Sequence, residues 1–175
     1  LPENFISFQT AAVSAITRSA RGVLAVAVKD ATEGGAAEAA YKSLAEVPED
    51  KFSPENYRLL KLAFLAAPTK VWVLRVGEDA EKTYQALERL RFDWLAAPGL
   101  EDARVMSFIK TLRNGGRGVK AVVANATAPD CEGIVNLCVS GLTLEDGAVE
   151  AKDYAVRVAA LLAALPLTRS ATYVN

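Results

Sequence analysis

The sequence predicts an α/β fold: a mostly parallel central sheet covered by helices on both faces, with an extended N-terminal arm and a truncated C-terminal extension. Three observations carry this expectation. Residues 22–29 (GVLAVAVK) form a continuous apolar run of strand length, the pattern of a strand covered on both faces. Strand-like runs then alternate with stretches of helical period, the order that builds βαβ units. Finally, 51% of the 175 residues are hydrophobic. That is ample for one core, since a domain of this size buries roughly 70% of its unfolded surface.

Residues 1–15 open with an alternation, Phe5, Ser7 and Gln9 on one side against Ile6, Phe8 and Thr10 on the other, which reads as an extended arm or edge strand. Residues 17–22 are a polar turn ending in Gly22. After the apolar run comes a loop, 30–36, with Gly34 and Gly35. Residues 36–47 are expected to form a short helix followed by an extended piece. Ser53-Pro54-Glu55 is a helix start: Ser as N-cap, Pro at the first helical position, an acid in the first turn. Tyr57, Leu60, Phe64 and Ala67 follow at helical spacing, and Pro68 ends the helix. Residues 70–76 (KVWVLRV) read as a second strand. Residues 78–91 read as a helix with Tyr84, Leu87 and Leu90 on one face, and 92–97 as a third strand closed by Pro98-Gly99. Val105, Phe108, Ile109 and Leu112 set a helix over 101–113, stopped by Asn114-Gly-Gly-Arg-Gly118. Strands are expected at 120–125 and 134–139, and a turn within 144–149. Residues 151–165 form a helix apolar nearly all round, with Tyr154, Val158, Leu161, Leu162 and Leu165 prominent. Such a helix is expected to be buried on several sides. Residues 168–175 return to an extended pattern. The resulting division is an arm at 1–17, an α/β body at 18–167, and the start of a C-terminal extension at 168–175.

Composition excludes several functions. The chain carries 20 basic and 21 acidic residues, whereas a nucleic-acid or anionic-membrane binder usually shows a basic excess. It has no His, which removes Ser-His and Cys-His nucleophile pairs and His-ligated zinc. Two Cys cannot build a disulfide framework. The opening residues, Leu1-Pro-Glu-Asn-Phe5, do not read as a signal peptide, and the longest apolar stretch is well short of the roughly 20 residues that span a bilayer. No membrane insertion is expected. The chain begins without Met and stops in what reads as the start of a strand, so it is expected to be a piece of a longer protein.

The motif search is close to empty. The loop from Asp30 to Gly35 follows the first strand, where ligands sit in α/β sheets. It is neither GxGxxG nor a P-loop, and it is kept as the candidate for an alternative function, a small nucleotide- or ligand-binding domain or enzyme. Asn114–Gly118 reads as a helix-ending turn. Cys138 sits in an apolar run as a small hydrophobe, and Cys131 in a loop is expected to be the more exposed. Asp130 and Glu132 could act as a carboxylate pair, but with no third ligand or base they read as a solvated loop. Trp72 and Trp94 read as packing residues within strands. No catalytic, cofactor or metal residue emerges. Partnership does: two terminal segments without an obvious hairpin mate leave backbone groups that either another chain or the other segment, on the domain's own sheet edge, can pair.

One stretch is specific. Tyr154, at the head of the last helix, is followed by Leu165-Pro-Leu-Thr168-Arg169-Ser170 and Thr172-Tyr173, which resembles the signature of contractile phage tail sheath proteins. Ile6-Ser-Phe8-Gln-Thr10, Arg18-Ser19-Ala-Arg21-Gly22, Pro68-Thr-Lys70-Val71-Trp72 and Trp94-Leu-Ala-Ala-Pro98-Gly99 also match. The likeness covers almost the whole chain and is greatest to the short sheaths of Gram-positive prophages and phage-tail-like bacteriocins. The family often has Gly where this chain has Ala160 and Ala164, and it continues well beyond Tyr173. The resemblance implies a structural, non-enzymatic subunit without cofactor. Such subunits stack as six-fold rings around a tail tube, linked by exchanged terminal extensions, and contract to drive the tube through the host envelope. The implied partners are copies of itself, the tube protein, and baseplate and tail terminator proteins. The implied location is the virion tail, or a phage-tail-like particle, assembled in the bacterial cytoplasm. The candidate linking residues are Phe5, Ile6, Ser7, Phe8, Gln9, Thr10 and Ala11. Arg18, Arg21 and Arg169 are candidate contacts where the arms leave the body.

Overall fold

Strand β1 (Val23–Val28) is buried at every position because it is a central strand of a sheet packed on both faces. In this computed structural model, residues 22–125, 127, 129–144 and 147–165 are described. The elements follow as β2 (Glu38–Tyr41), two 3-10 turns (Leu44–Glu46 and Glu49–Lys51), α1 (Pro54–Phe64), β3 (Lys70–Arg75), α2 (Ala80–Arg89), β4 (Trp94–Ala96), α3 (Asp102–Asn114), β5 (Lys120–Val123), β6 (Ile134–Asn136), β7 (Thr143–Leu144), β8 (Gly147–Ala148) and α4 (Ala151–Ala164). The main sheet has the order β2-β3-β1-β4-β5-β6. All its pairings are parallel except β2 with β3, and β7 and β8 form a separate hairpin.

Side chains alternate across a strand, and β1 divides the core accordingly. Val23, Ala25 and Ala27 join the cluster under α2 and α3, with Tyr84, Leu87, Val105 and Ile109. Leu24, Val26 and Val28 join the cluster under α1 and α4, with Leu60, Ala63, Val156 and Ala160. Helices therefore cover both faces, as the continuous apolar run requires. Among the parallel strands, the direction of winding reverses between β1 and β4, the arrangement of a doubly wound sheet.

The helix boundaries follow local chemistry. Ser53 caps α1 by accepting from Asn56 N–H at 3.3 Å, and Asp79 caps α2 by accepting from Glu81 N–H at 3.0 Å. That cap makes α2 start later than the sequence spacing suggests. At the end of α3, Gly116 takes φ +84°, Gly116 N–H donates to Arg113 C=O and Arg117 N–H to Leu112 C=O. This pairing satisfies the last carbonyls and needs a left-handed residue, so the Gly-rich loop is a helix-ending turn as expected. A Gly116→Ala substitution is expected to destabilise the fold by about 1 kcal/mol. Chemical denaturation would read this as a lower midpoint at an unchanged slope.

Several expectations are corrected. Residues 36–47 are not a helix followed by an extended piece: the strand comes first, as β2, and a 3-10 turn follows. Ala39 and Ala40 favour helix locally, but antiparallel pairing with Val73 and Trp72 at the sheet edge decides the conformation. Strand β6 ends at Asn136 rather than 139, leaving Val139 and Cys138 exposed. The order of the thiols is thus reversed, because Cys131 packs against the core beneath α3. Helix α4 buries its small side chains, Ala155, Val156, Ala159, Ala160 and Ala163. Tyr154, Val158, Leu161, Leu162 and Leu165 are only half-buried. Small residues face the sheet because they let the helix backbone approach it closely.

Candidate functional site

The sequence-predicted linking residues Phe5, Ile6, Ser7, Phe8, Gln9, Thr10 and Ala11, with Arg18, Arg21 and Arg169, lie outside the described residues. What the fold describes is the corner they lead to. Asp93, just before β4, accepts from Gly22 N–H at 2.8 Å and Val23 N–H at 2.9 Å through one carboxylate oxygen. Its own N–H donates to Val23 C=O. Gly22 C=O accepts from Thr69 N–H at 2.9 Å. The backbone at Gly22 has φ +99°, and a Cβ there would lie 2.9 Å from Thr69 Oγ1 and 3.2 Å from the carbonyl oxygen of Ala163. Residue 22 is therefore clamped against the last turn of α4. Gly22 and the end of α4 thus meet at one corner, at the amino end of β1.

Lysines cover the two tryptophans at the same end of the strands. Lys70 Nζ lies 4.9 Å from the Trp72 ring centroid and Lys120 Nζ 5.3 Å from that of Trp94. Both rings are partly buried and pack on opposite clusters, which bears out their reading as packing residues.

The alternative candidate is the loop after β1. Asp30 points inward, its side chain fully covered. Its carboxylate accepts from Thr32 N–H at 2.8 Å, Ser53 N–H at 3.0 Å and Asn56 Nδ2 at 2.7 Å, and Arg75 Nη1 lies 3.6 Å away. Burial by itself would push this carboxyl up, but the hydrogen bonds from Ser53, Thr32 and Asn56 outweigh it and hold Asp30 below the ordinary carboxylate range. Arg75 donates to Thr32 C=O at 2.7 Å and to Lys51 C=O, and it stacks on Phe52 at 4.6 Å. Gly35 is glycine because the Arg75 guanidinium occupies the space a Cβ would take. The loop's polar groups are thus engaged by its own fold, and its glycine makes room for an arginine.

The crevice at the strand reversal is also filled. Gly99 N–H donates to Ala27 C=O at 2.9 Å, and a Cβ on Gly99 would sit 2.6 Å from the Lys29 nitrogen. The chain leaving β4 lies directly on the carboxyl end of β1, and Lys152 Nζ fixes it by donating to Leu100 C=O at 2.6 Å. The carboxylate pair is not a pair: Glu132 bonds Arg113 while Asp130 stays exposed. Among the described residues no cluster of His, Cys, Asp and Glu could hold a metal ion. No described helix is long and apolar enough to cross a membrane.

Sequence reasoning missed one surface feature. A groove of about 1200 Å³ runs beside α1 toward α4, with Leu44, Leu62, Phe64 and Leu65 among its apolar walls. Lys42, Lys61 and Arg157 stand along it, and Arg157 Nη1 is buried with no hydrogen-bond partner among the described residues. Leu65 is 67% exposed. The signal was present as Lys61 and Leu62 on α1 with Leu65 just after it, but it merges with the core stripe of the same helix.

No protein-family profile matches the chain. It is similar to the tail sheath protein of Clostridium phage phiCD119, at 31% identity over 185 residues that take in 96% of this chain and 49% of that protein. The chain thus spans about half the length of the curated relative it matches. Two solved structures share its fold. One is a sheath tail protein from Desulfitobacterium hafniense, with a TM-score of 0.72 and 15% identity, covering 99% of this chain and 64% of that one. The other is a sheath tail protein from Listeria innocua, with a TM-score of 0.73 and 18% identity, covering 94% and 61%. Along nearly all of its length the chain is thus similar in sequence to about half of a phage tail sheath protein, and it shares the fold of two sheath tail proteins.

Proposed function

We infer that this chain is the N-terminal and central part of a structural subunit of a contractile tail sheath, without catalytic activity. The observation that carries the reading is the 31% identity to a tail sheath protein across 96% of the chain. In this reading residues 1–17 are a linking arm, 18–167 the body, and 168–175 the start of a C-terminal extension. Subunits stack as six-fold rings around a tail tube and contract to drive that tube through the host envelope. The particle is a virion tail or a phage-tail-like body, assembled in the bacterial cytoplasm. Its partners are copies of itself, the tube protein, and baseplate and terminator proteins.

The fold supports this in two ways. The body is a sheet packed on both faces, suited to moving as a unit between two arrangements of subunits. Gly22 and the end of α4 meet at one clamped corner, so tension on either is delivered to the same point of the sheet. Phe5 to Ala11 form the linking segment, and Arg18, Arg21 and Arg169 make contacts where the segments meet the body. Deleting residues 1–11 from the longest form of the protein is expected to abolish sedimentable polymer while the body still melts in one cooperative transition. Undiminished polymer after the deletion would contradict the linking role. The ligand-binding alternative has no observation in its favour, since the Asp30 loop and the crevice are both filled by the protein itself.

A further inference from the structure

We propose that the groove beside α1 is the seat of the chain's own N-terminal segment, residues 1–17, in the unassembled subunit. This goes beyond the linking role and names where the segment lies before it links anything.

Three observations converge. The first is position: Pro68 is among the residues that line the groove, and the next residue, Thr69, holds Gly22, where the segment joins the body. A segment leaving Gly22 therefore starts one hydrogen bond and one residue away from the groove's lining. Its five residues from 18 to 22 can extend roughly 17 Å, so residues 1–17 begin within reach of the groove. The second is composition. Residues 1–17 contain Leu1, Phe5, Ile6, Phe8, Val13 and Ile16, one acid, Glu3, and no basic residue. The third is what the groove lacks. Leu65 is the most exposed large apolar side chain among the described residues. Lys42, Lys61 and Arg157 stand along apolar walls, with Arg157 Nη1 buried and unpaired among the described residues. An apolar segment bearing a carboxylate and no basic side chain matches that surface. Tethering makes the encounter intramolecular, at an effective concentration of order millimolar, which favours a subunit's own segment over a neighbour's at dilute concentration.

The occupant is testable by photo-crosslinking in the full chain, with p-benzoylphenylalanine in place of Phe8, irradiated at dilute concentration and mapped by mass spectrometry. The expected result is an intrachain adduct to peptides containing Leu44, Leu65 or Tyr154. Leu65→Glu is expected to reduce that adduct about tenfold, the loss that follows from forgoing burial of one leucine. Because Leu65 is exposed on the body itself, that variant should still melt cooperatively, within about 5 °C of wild type, which separates loss of docking from loss of fold. Adducts to any other surface would overturn the proposal. So would groove adducts found only between two chains, which would make the groove a neighbour's receptor. Neither outcome bears on the deletion experiment above, which reads polymer and not the resting place of the segment.

Discussion

An Asp30→Asn variant is expected to lose about 3 kcal/mol of stability at neutral pH, because it leaves a set of donors built for a carboxylate facing a neutral amide. At roughly 2–4 °C per kcal/mol for a chain of this length, the melting temperature should fall by about 10 °C. The side chain is fully covered and accepts from Thr32, Ser53 and Asn56, with Arg75 beside it. One residue thereby ties the end of β1 to the start of α1 and the end of β3. The same geometry sets a pH dependence. The folded-state pKa of Asp30 is depressed below its unfolded value, so its contribution is fully present above an unfolded pKa of about 4 and is lost as the pH falls below it. The gap between wild type and Asp30→Asn should therefore narrow in acid. Melts recorded at neutral pH and well below pH 4 would check this. Equal stability of the two proteins at neutral pH would show that the cluster does not secure the loop.

Leu95→Ala is expected to cost about 3–4 kcal/mol, through lost burial and a cavity that the sheet cannot close. Leu95 is fully buried. It pairs with Ala25 on β1 and Ala121 on β5, so small neighbours surround it and it fills the volume they leave under α3. The fixed register on both sides keeps the backbone from collapsing inward. Urea denaturation would show the loss as a lower midpoint. A cost under about 1 kcal/mol would mean that the site repacks, in conflict with a rigid, doubly covered sheet.

Much of this architecture was legible in the residues. The uninterrupted apolar run of β1 announced a doubly covered strand, and Ser53-Pro54 marked the start of α1 within one residue. The Val105, Ile109, Leu112 stripe of α3 is buried as its period requires. What stayed illegible depended on distant partners. β2 is a short Ala-containing edge strand that exists because β3 pairs with it. The inward face of α4 could not be chosen from sequence, since nearly every position on that helix is apolar. Its small residues won because the helix lies close over the sheet. The candidate linking residues came from the family resemblance and from position. The clamp at Asp93 went unnoticed because its partners, Gly22 and Val23, lie some 70 residues earlier in the chain.

The most direct test of the sheath reading is negative-stain electron microscopy of the longest form of this protein, alone and with purified tube protein. The account predicts tubes of uniform diameter with a helical striation in at least one of the two preparations. Uniform monomers in both would contradict it.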